Sequence, residues 1–298
     1  MFDDSSFEDP YRDLRRLKEF VFTILKRKLN IHYYFNIRAD FYKKVDDEFM
    51  KLLIKSGLRA IGLGLEAGNQ KDILLYNKSA DLEDNYRIID FLKQYQIQYF
   101  VGFINFNAYT TLKTLEENLR FLKYVKMPFL YLTELEIYRG TKIFNKVHKD
   151  KLIKDKKICG KYIYKYINKD VENLVQFLFE YTKCVNKSHN NILNTLEEYY
   201  KRIPLQIFCI ESNLEENNIN NTRKKIVDRC IKRYSRISDR CCELLFLWYE
   251  HLLEELRKNG FHSEQCMQVT KQYLDIDEFL DIENEFTKIS QLLSNWLI

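Results

Sequence analysis

The chain has 298 residues, 46% of them hydrophobic and 15% aromatic, with eight glycines and three prolines; that is enough apolar material for one large core or two smaller ones and excludes a disordered chain. A formal charge of +5 is too small to signal a nucleic-acid partner. The start is acidic without an apolar stretch, and the longest apolar run, from Cys241, is broken by Glu243, Glu250 and His251, so a soluble cytosolic protein is expected rather than a secreted or membrane one.

The opening, MFDDSSFEDPYRD, has the polarity of a loop at the C-terminal tip of a strand, followed by a charged helical pattern. Short β-rich runs then alternate with amphipathic stretches. The runs fall at 31–37, 60–65, 97–105 and 129–138. Asp46 and Asp47 begin the first intervening helix and Gly57 follows its end; Asp81 precedes a helix whose stripe is Ile88, Ile89, Leu92 and Tyr95. Thr110 or Thr111 caps a third, with Leu115, Leu119 and Leu122 on one face. Strand and helix alternating at this spacing predict right-handed βαβ units in an α/β fold with about four parallel strands. A complete eightfold barrel needs about 250 residues, so the region is an open sheet or an incomplete (β/α) barrel.

Beyond that region the pattern changes. Residues 149–169 form a lysine-rich connector, and 170–298 read as an all-α C-terminal domain with helices near 170–186, 189–202, 222–259 and 263–296. PLQIFCI at 204–210 is the one candidate strand there, and 211–221 has the composition of a polar loop. The barrel segment is thus expected over 1–148.

Ligands of parallel α/β sheets sit at the C-terminal ends of the strands. Period two places His32, Tyr34, Asn36 and Arg38 on one face. It also groups Gly62, Gly64 and Glu66, two glycines leading to a carboxylate, a pattern that makes room for a close approach. Asn105 and Asn107 end the next run, Glu134, Glu136 and Tyr138 the last, and Asp4 stands where a preceding strand would end. A polar tip alone needs no ligand to explain it; Glu66 behind paired glycines does.

Residues 1–146 resemble radical S-adenosylmethionine (SAM) enzymes of the cobalamin-binding-type branch. The motifs are Arg38 and Asp40 as R-x-D, Gly64, Glu66, Ala67 and Gly68 as G-x-E-A-G, Tyr76–Asn77–Lys78, then Asn85, the Gly102–Phe106 run with Thr110 and Thr111, and Gly140–Thr141. The resemblance implies a six-stranded partial barrel binding SAM and a 4Fe–4S cluster, with cobalamin in a separate segment. It implies that Asp4, in an F-x-D-x-x-F pattern with Phe2 and Phe7, faces the SAM amino group. Arg38, Gly64 and Glu66 would line the methionyl or ribose part, with Asn105 near adenosine or substrate.

The family's cluster ligands form a CxxxCxxC loop, and the seven cysteines here begin at Cys159. A cluster needs thiolates gathered in a preorganised loop, so the cluster and cobalamin segments are expected to be missing, through truncation, frameshift or a wrong start. The chain is then the C-terminal portion of a radical SAM enzyme acting on a peptide or small metabolite, inactive alone. A non-catalytic partner-binding or regulatory descendant is the alternative. Expected partners are a separately encoded N-terminal half or a paralogue; neither membrane nor nucleic acid is expected. The strand at 31–37, lacking its neighbour, leaves an open edge.

Weaker signals have plain explanations. His262 and Cys266 have metal-compatible spacing but no companion pair. The basic run 222–240 reads as a solvated helix face, and KYIYKYI at 161–167 as an apolar edge packing on the barrel rather than a base-stacking surface.

Overall fold

A computed structural model describes residues 14–127, 132–155, 160–216 and 221–295. Helix α1 (Arg15–Arg27) buries Leu17, Val21 and Ile24, and its Phe20 ring meets Tyr33 edge-on at 5.1 Å. Strand β1 (Tyr33–Arg38) runs into a 3-10 turn at Ala39–Lys43, then α2 (Asp47–Lys55) and β2 (Leu58–Glu66). Asp46 caps α2 by accepting from the Phe49 N–H at 2.7 Å. A short α3 (Gln70–Leu75), α4 (Leu82–Gln94), β3 (Gln98–Phe103) and α5 (Leu112–Val125) complete the alternation. Asp81 and Thr111 cap α4 and α5 as reciprocal capping boxes, which settles the Thr110/Thr111 alternative.

The strands form one parallel sheet in the order β1-β2-β3, with β1 at its edge. Tyr33, Phe35, Ile37, Ile61, Leu63 and Leu65 are buried on one face. The expected fourth strand is reduced, within its described part, to single bridges: Phe106 with Glu134 in parallel, and Ile137 with Tyr162 antiparallel. Leu135 donates to the Phe106 carbonyl at 2.8 Å, so the segment continues the sheet at its tip without a ladder. The fold is therefore a partial barrel with a three-stranded parallel sheet, followed by helices.

After α6 (Lys142–Lys149), the connector is more than a tether. It holds a small antiparallel pair, β4 (Ile153–Asp155) and β5 (Ile163–Tyr164), and buries Tyr164 and Tyr166. Next come α7 (Lys169–Ser188), α8 (Ile192–Glu216), α9 (Asn221–Asn259), α10 (Ser263–Tyr273) and α11 (Ile276–Ser294). The candidate strand 204–210 is helical and lies inside α8 despite Pro204. Leu196, Ile203, Ile207 and Ile210 are buried at helical, not alternating, spacing, and that stripe overrides the β-branched composition. The polar segment 211–221 is likewise helical up to Glu216. The helix expected over 263–296 is two, parted at Leu274–Asp275, where Asp275 caps the second through the Asp277 N–H.

Helices α8 and α11 run parallel, joined by Tyr199–Thr287, Arg202–Ser290 and Gln206–Ser294 hydrogen bonds of 2.9, 3.0 and 3.2 Å. Helix α9 is antiparallel to α11 and ties to it through Arg233–Glu285 and Arg240–Glu278. Two cations of the basic run thus serve helix packing. Ion pairs Lys123–Glu250 and Lys126–Asp239, at 2.7 and 3.0 Å, together with Arg257–Glu116, fasten α9 along α5. No described helix is long and apolar enough to cross a membrane.

Candidate functional site

A cleft of about 1020 Å³ opens over the C-terminal ends of the strands. Its floor follows from register. Asn36, Gly62 and Phe100 lie in one row across the sheet, and Arg38, Gly64 and Gly102 in the next. A Cβ at Gly62 would stand 1.9 Å from Asn36 Oδ1, and one at Gly64 would stand 3.2 Å from Glu66 Oε1. The glycines therefore leave the space that polar side chains from neighbouring positions occupy. Gly68, in the same motif, serves packing: a Cβ there would stand 2.3 Å from Phe121 Cβ.

Glu66 ends β2 with φ +67°, left-handed backbone that a residue with a Cβ adopts at a cost of about 1–3 kcal/mol. The β2–β3 register shifts between Gly64 and Glu66, which turns the carboxylate into the cleft. There it meets Lys78 Nζ at 2.7 Å. Lys78 arrives from the turn after α3, where Asn77 has φ +56°. Arg38 donates to the Ser79 hydroxyl, and its Nε lies 3.9 Å from Asp40. The R-x-D pair is thus an arginine facing the cleft with a carboxylate behind it.

Below this rim lies a buried polar scaffold. Asn107 Nδ2 donates to Asp72 at 3.0 Å and to the Tyr76 hydroxyl at 2.9 Å. Asn69 Nδ2 donates to the other Asp72 oxygen at 2.7 Å and to Asn118 Oδ1 at 2.9 Å. Burial, then the nearby Asp72 charge, raises the Tyr76 pKa well above the phenol range, so the ring stays neutral. Asn85 Nδ2 donates to the Leu65 and Ala67 carbonyls at 3.1 and 2.9 Å, tying α4 to the turn at Glu66.

Of the sequence-predicted site residues, Arg38, Gly64 and Glu66 meet at the cleft. Asn105 does not line it: its Oδ1 accepts from the Thr133 N–H and hydroxyl at 3.1 and 3.0 Å, and the residue is buried. Asn105 thereby fixes the strand substitute at 132–136 to β3. Asp4 lies outside the described residues. On the opposite wall, Tyr166 donates to Glu134 at 2.5 Å. Lys161 and then Tyr138 hold the Glu136 carboxyl below its usual pKa. Two contributors escaped sequence reasoning: Lys201 and Leu205 of α8 line the cleft from the helical side. Their four-residue spacing on an amphipathic helix looks like any solvent-to-core boundary, so no local signal marked them.

The described cysteines do not line the cleft. The six described ones are free thiols; Cys230, Cys241, Cys242 and Cys266 are buried, and burial pushes the Cys241 thiol up to about 12. Cys266 turns into the core while His262 bonds the Asn259 carbonyl. No group of three or more His, Cys, Asp or Glu among the described residues is placed to hold a metal ion. A buried thiol with a raised pKa is a poor thiolate ligand, so the four buried cysteines do not fit an iron–sulfur cluster.

The chain matches no protein-family model. It is 32% identical over 114 residues to the anaerobic magnesium-protoporphyrin IX monomethyl ester cyclase of Rubrivivax gelatinosus, a match covering 37% of this chain and 20% of that protein. It superposes on the cobalamin-dependent S-adenosylmethionine radical enzyme OxsB with aqua-cobalamin and SAM bound, at a TM-score of 0.54 and 19% identity. That alignment covers 94% of this chain and 44% of OxsB. The fold is that of the matched part of OxsB. The selenomethionine-labelled apo form of OxsB gives the same TM-score over 97% of this chain and 45% of its own. The chain thus spans about a fifth of its curated relative and under half of the solved radical SAM chains. Nearly all of it, the helical part included, follows the OxsB backbone.

Proposed function

We propose that the cleft binds SAM, and that these 298 residues supply the SAM-binding face of a radical SAM enzyme without supplying its cluster. The observation carrying this reading is the row Arg38–Gly64–Gly102 with Glu66 turned into the cleft by left-handed backbone. Arg38 and Lys78 match a carboxylate, Glu66 matches an ammonium or a ribose diol, and Gly62 and Gly64 leave the room in which the Asn36 and Glu66 side chains stand at the cleft floor. When bound, SAM supplies a sulfonium whose carbon–sulfur bond is open to reductive cleavage. The residues here bind and orient; none is assigned to an iron–sulfur cluster or to cobalamin. The substrate of the complete system is a peptide or small metabolite, reached through the wall formed by Glu134 and α8.

A second reading, a non-catalytic descendant that binds SAM or a partner in a regulatory role, is favoured by the position of the described cysteines, which lie in the helical part and do not line the cleft, four of them buried. One experiment addresses both. The purified chain is treated anaerobically with iron, sulfide and dithionite in the presence of SAM. Retention of SAM without 5′-deoxyadenosine is expected. Formation of a stoichiometric cluster with SAM cleavage would contradict the reading, and so would failure to retain SAM.

A further inference from the structure

A second hollow, of about 670 Å³, lies between the C-terminal half of α7, the start of α8 and residues 132–133. On α7, Phe179, Thr182, Lys183, Asn186 and Lys187 recur at three- and four-residue steps, so one helix face lines it. The turn from α7 to α8 is built for the purpose of holding shape. Asn190 and Asn191 take φ +50° and +60°, a region asparagine tolerates better than most residues. Asn186 Oδ1 accepts from the Leu193 N–H at 3.0 Å, and its Nδ2 donates to Asn194 at 3.2 Å. The carboxamides at this rim are therefore set before any ligand arrives.

The chemistry of the lining is specific. Two ammonium groups, Lys183 and Lys187, face a single carboxylate, Glu197, and that carboxylate is already paired with Lys201 at 2.9 Å. The hollow thus carries excess positive charge beside carboxamide and hydroxyl donors. Its apolar elements are Leu132 and Phe179; the Phe179 ring packs against Phe106 at 6.5 Å, and the residue, 37% exposed, keeps surface to meet a flat ligand. Thr133 lines both this hollow and the cleft. On α8, Asn194 and Glu197 belong to the hollow while Lys201 and Leu205 belong to the cleft. One helix face, about 16 Å long at 1.5 Å per residue, therefore runs from one into the other.

We propose that this hollow binds the second ligand of the reaction, a small molecule with a planar unsaturated ring and an oxyanion, carboxylate or phosphate. The oxyanion sits between Lys183 and Lys187, and the ring lies on Phe179. The role as second ligand rests on the reading of the cleft as a SAM site; the binding itself does not.

The test titrates 1-naphthyl phosphate, 1-naphthoate and inorganic phosphate into the full chain by calorimetry at low salt. At least one naphthyl anion binds, and more tightly than inorganic phosphate. The double variant Lys183→Glu/Lys187→Glu weakens it tenfold or more, and Phe179→Ala removes its advantage over inorganic phosphate. The control Lys232→Glu/Arg236→Glu, on the exposed face of α9, leaves it unchanged. Which naphthyl anion binds better separates a phosphate from a carboxylate ligand. Absence of binding by both, or equal weakening by the α9 control, overturns the proposal. A melting temperature within a few degrees of wild type shows that each variant is folded. SAM titrated into the Lys183→Glu/Lys187→Glu variant retains its wild-type affinity, so failure of the cleft reading and failure of this one give different results.

Discussion

Around the cleft, Asn69, Asp72, Asn85, Asn107 and Asn118 are buried and bonded to one another or to backbone, whereas between α8, α9 and α11 the buried residues are mostly Leu, Ile, Phe and Cys. A hydrogen bond constrains direction but adds only about 1 kcal/mol net. Apolar burial is non-directional and adds about 25 cal/mol per Å². The strand side of the molecule holds a carboxylate in a strained, specified place; the helical side supplies bulk stability and a wall. Substitutions should separate these roles.

The largest effect belongs to the helical core. Phe279 is fully buried, and Phe279→Ala is expected to cost about 3–5 kcal/mol in denaturant unfolding, while SAM affinity of the remaining folded protein stays at the wild-type level. Loss of affinity without loss of stability would show that α11 belongs to the site. The scaffold comes next. Asp72→Asn presents an amide to the donors Asn69 and Asn107, and about 1–3 kcal/mol is expected from the unmade bonds. Glu66→Gly relieves left-handed backbone and removes the Lys78 pair. Its unfolding free energy should stay within about 1 kcal/mol of wild type, yet SAM affinity should fall tenfold or more. A fall in stability instead would make Glu66 structural.

The smallest effect is titrational. The Arg233 guanidinium beside Glu285 holds its carboxyl below the usual range. A depressed carboxylate contributes stability above its unfolded pKa and loses it as pH falls through the folded value. Acid unfolding curves of wild type and Glu285→Gln should therefore differ at neutral pH by less than about 1 kcal/mol, because the pair is partly exposed. They should converge below the ordinary glutamate range.

The same contrast explains what could be read from the sequence. β1, β2 and β3, the cap at Asp81, those at Asp46 and Thr111 to within one residue, and the meeting of Arg38, Gly64 and Glu66 were legible because local rules of period and capping agree with the tertiary outcome. The helical identity of 204–210 was not, since Ile207 and Ile210 suit a strand and Pro204 argues against a helix until the packing partners α9 and α11 are known. The placement of Asn105 was not legible for a related reason. A polar residue at a strand tip points into a site or across to a neighbouring segment, and only the position of Thr133 decides which. Lys201 reaches the cleft through tertiary placement of α8 alone.

The most direct measurement is a calorimetric titration of SAM into the wild-type chain and into Arg38→Ala, whose side chain faces the cleft and is backed by Asp40. The account predicts one SAM per chain for wild type, at least tenfold weaker binding by Arg38→Ala, and an unchanged melting temperature without ligand. Absence of SAM binding by the folded wild-type chain, or equal affinity in the variant, would contradict it.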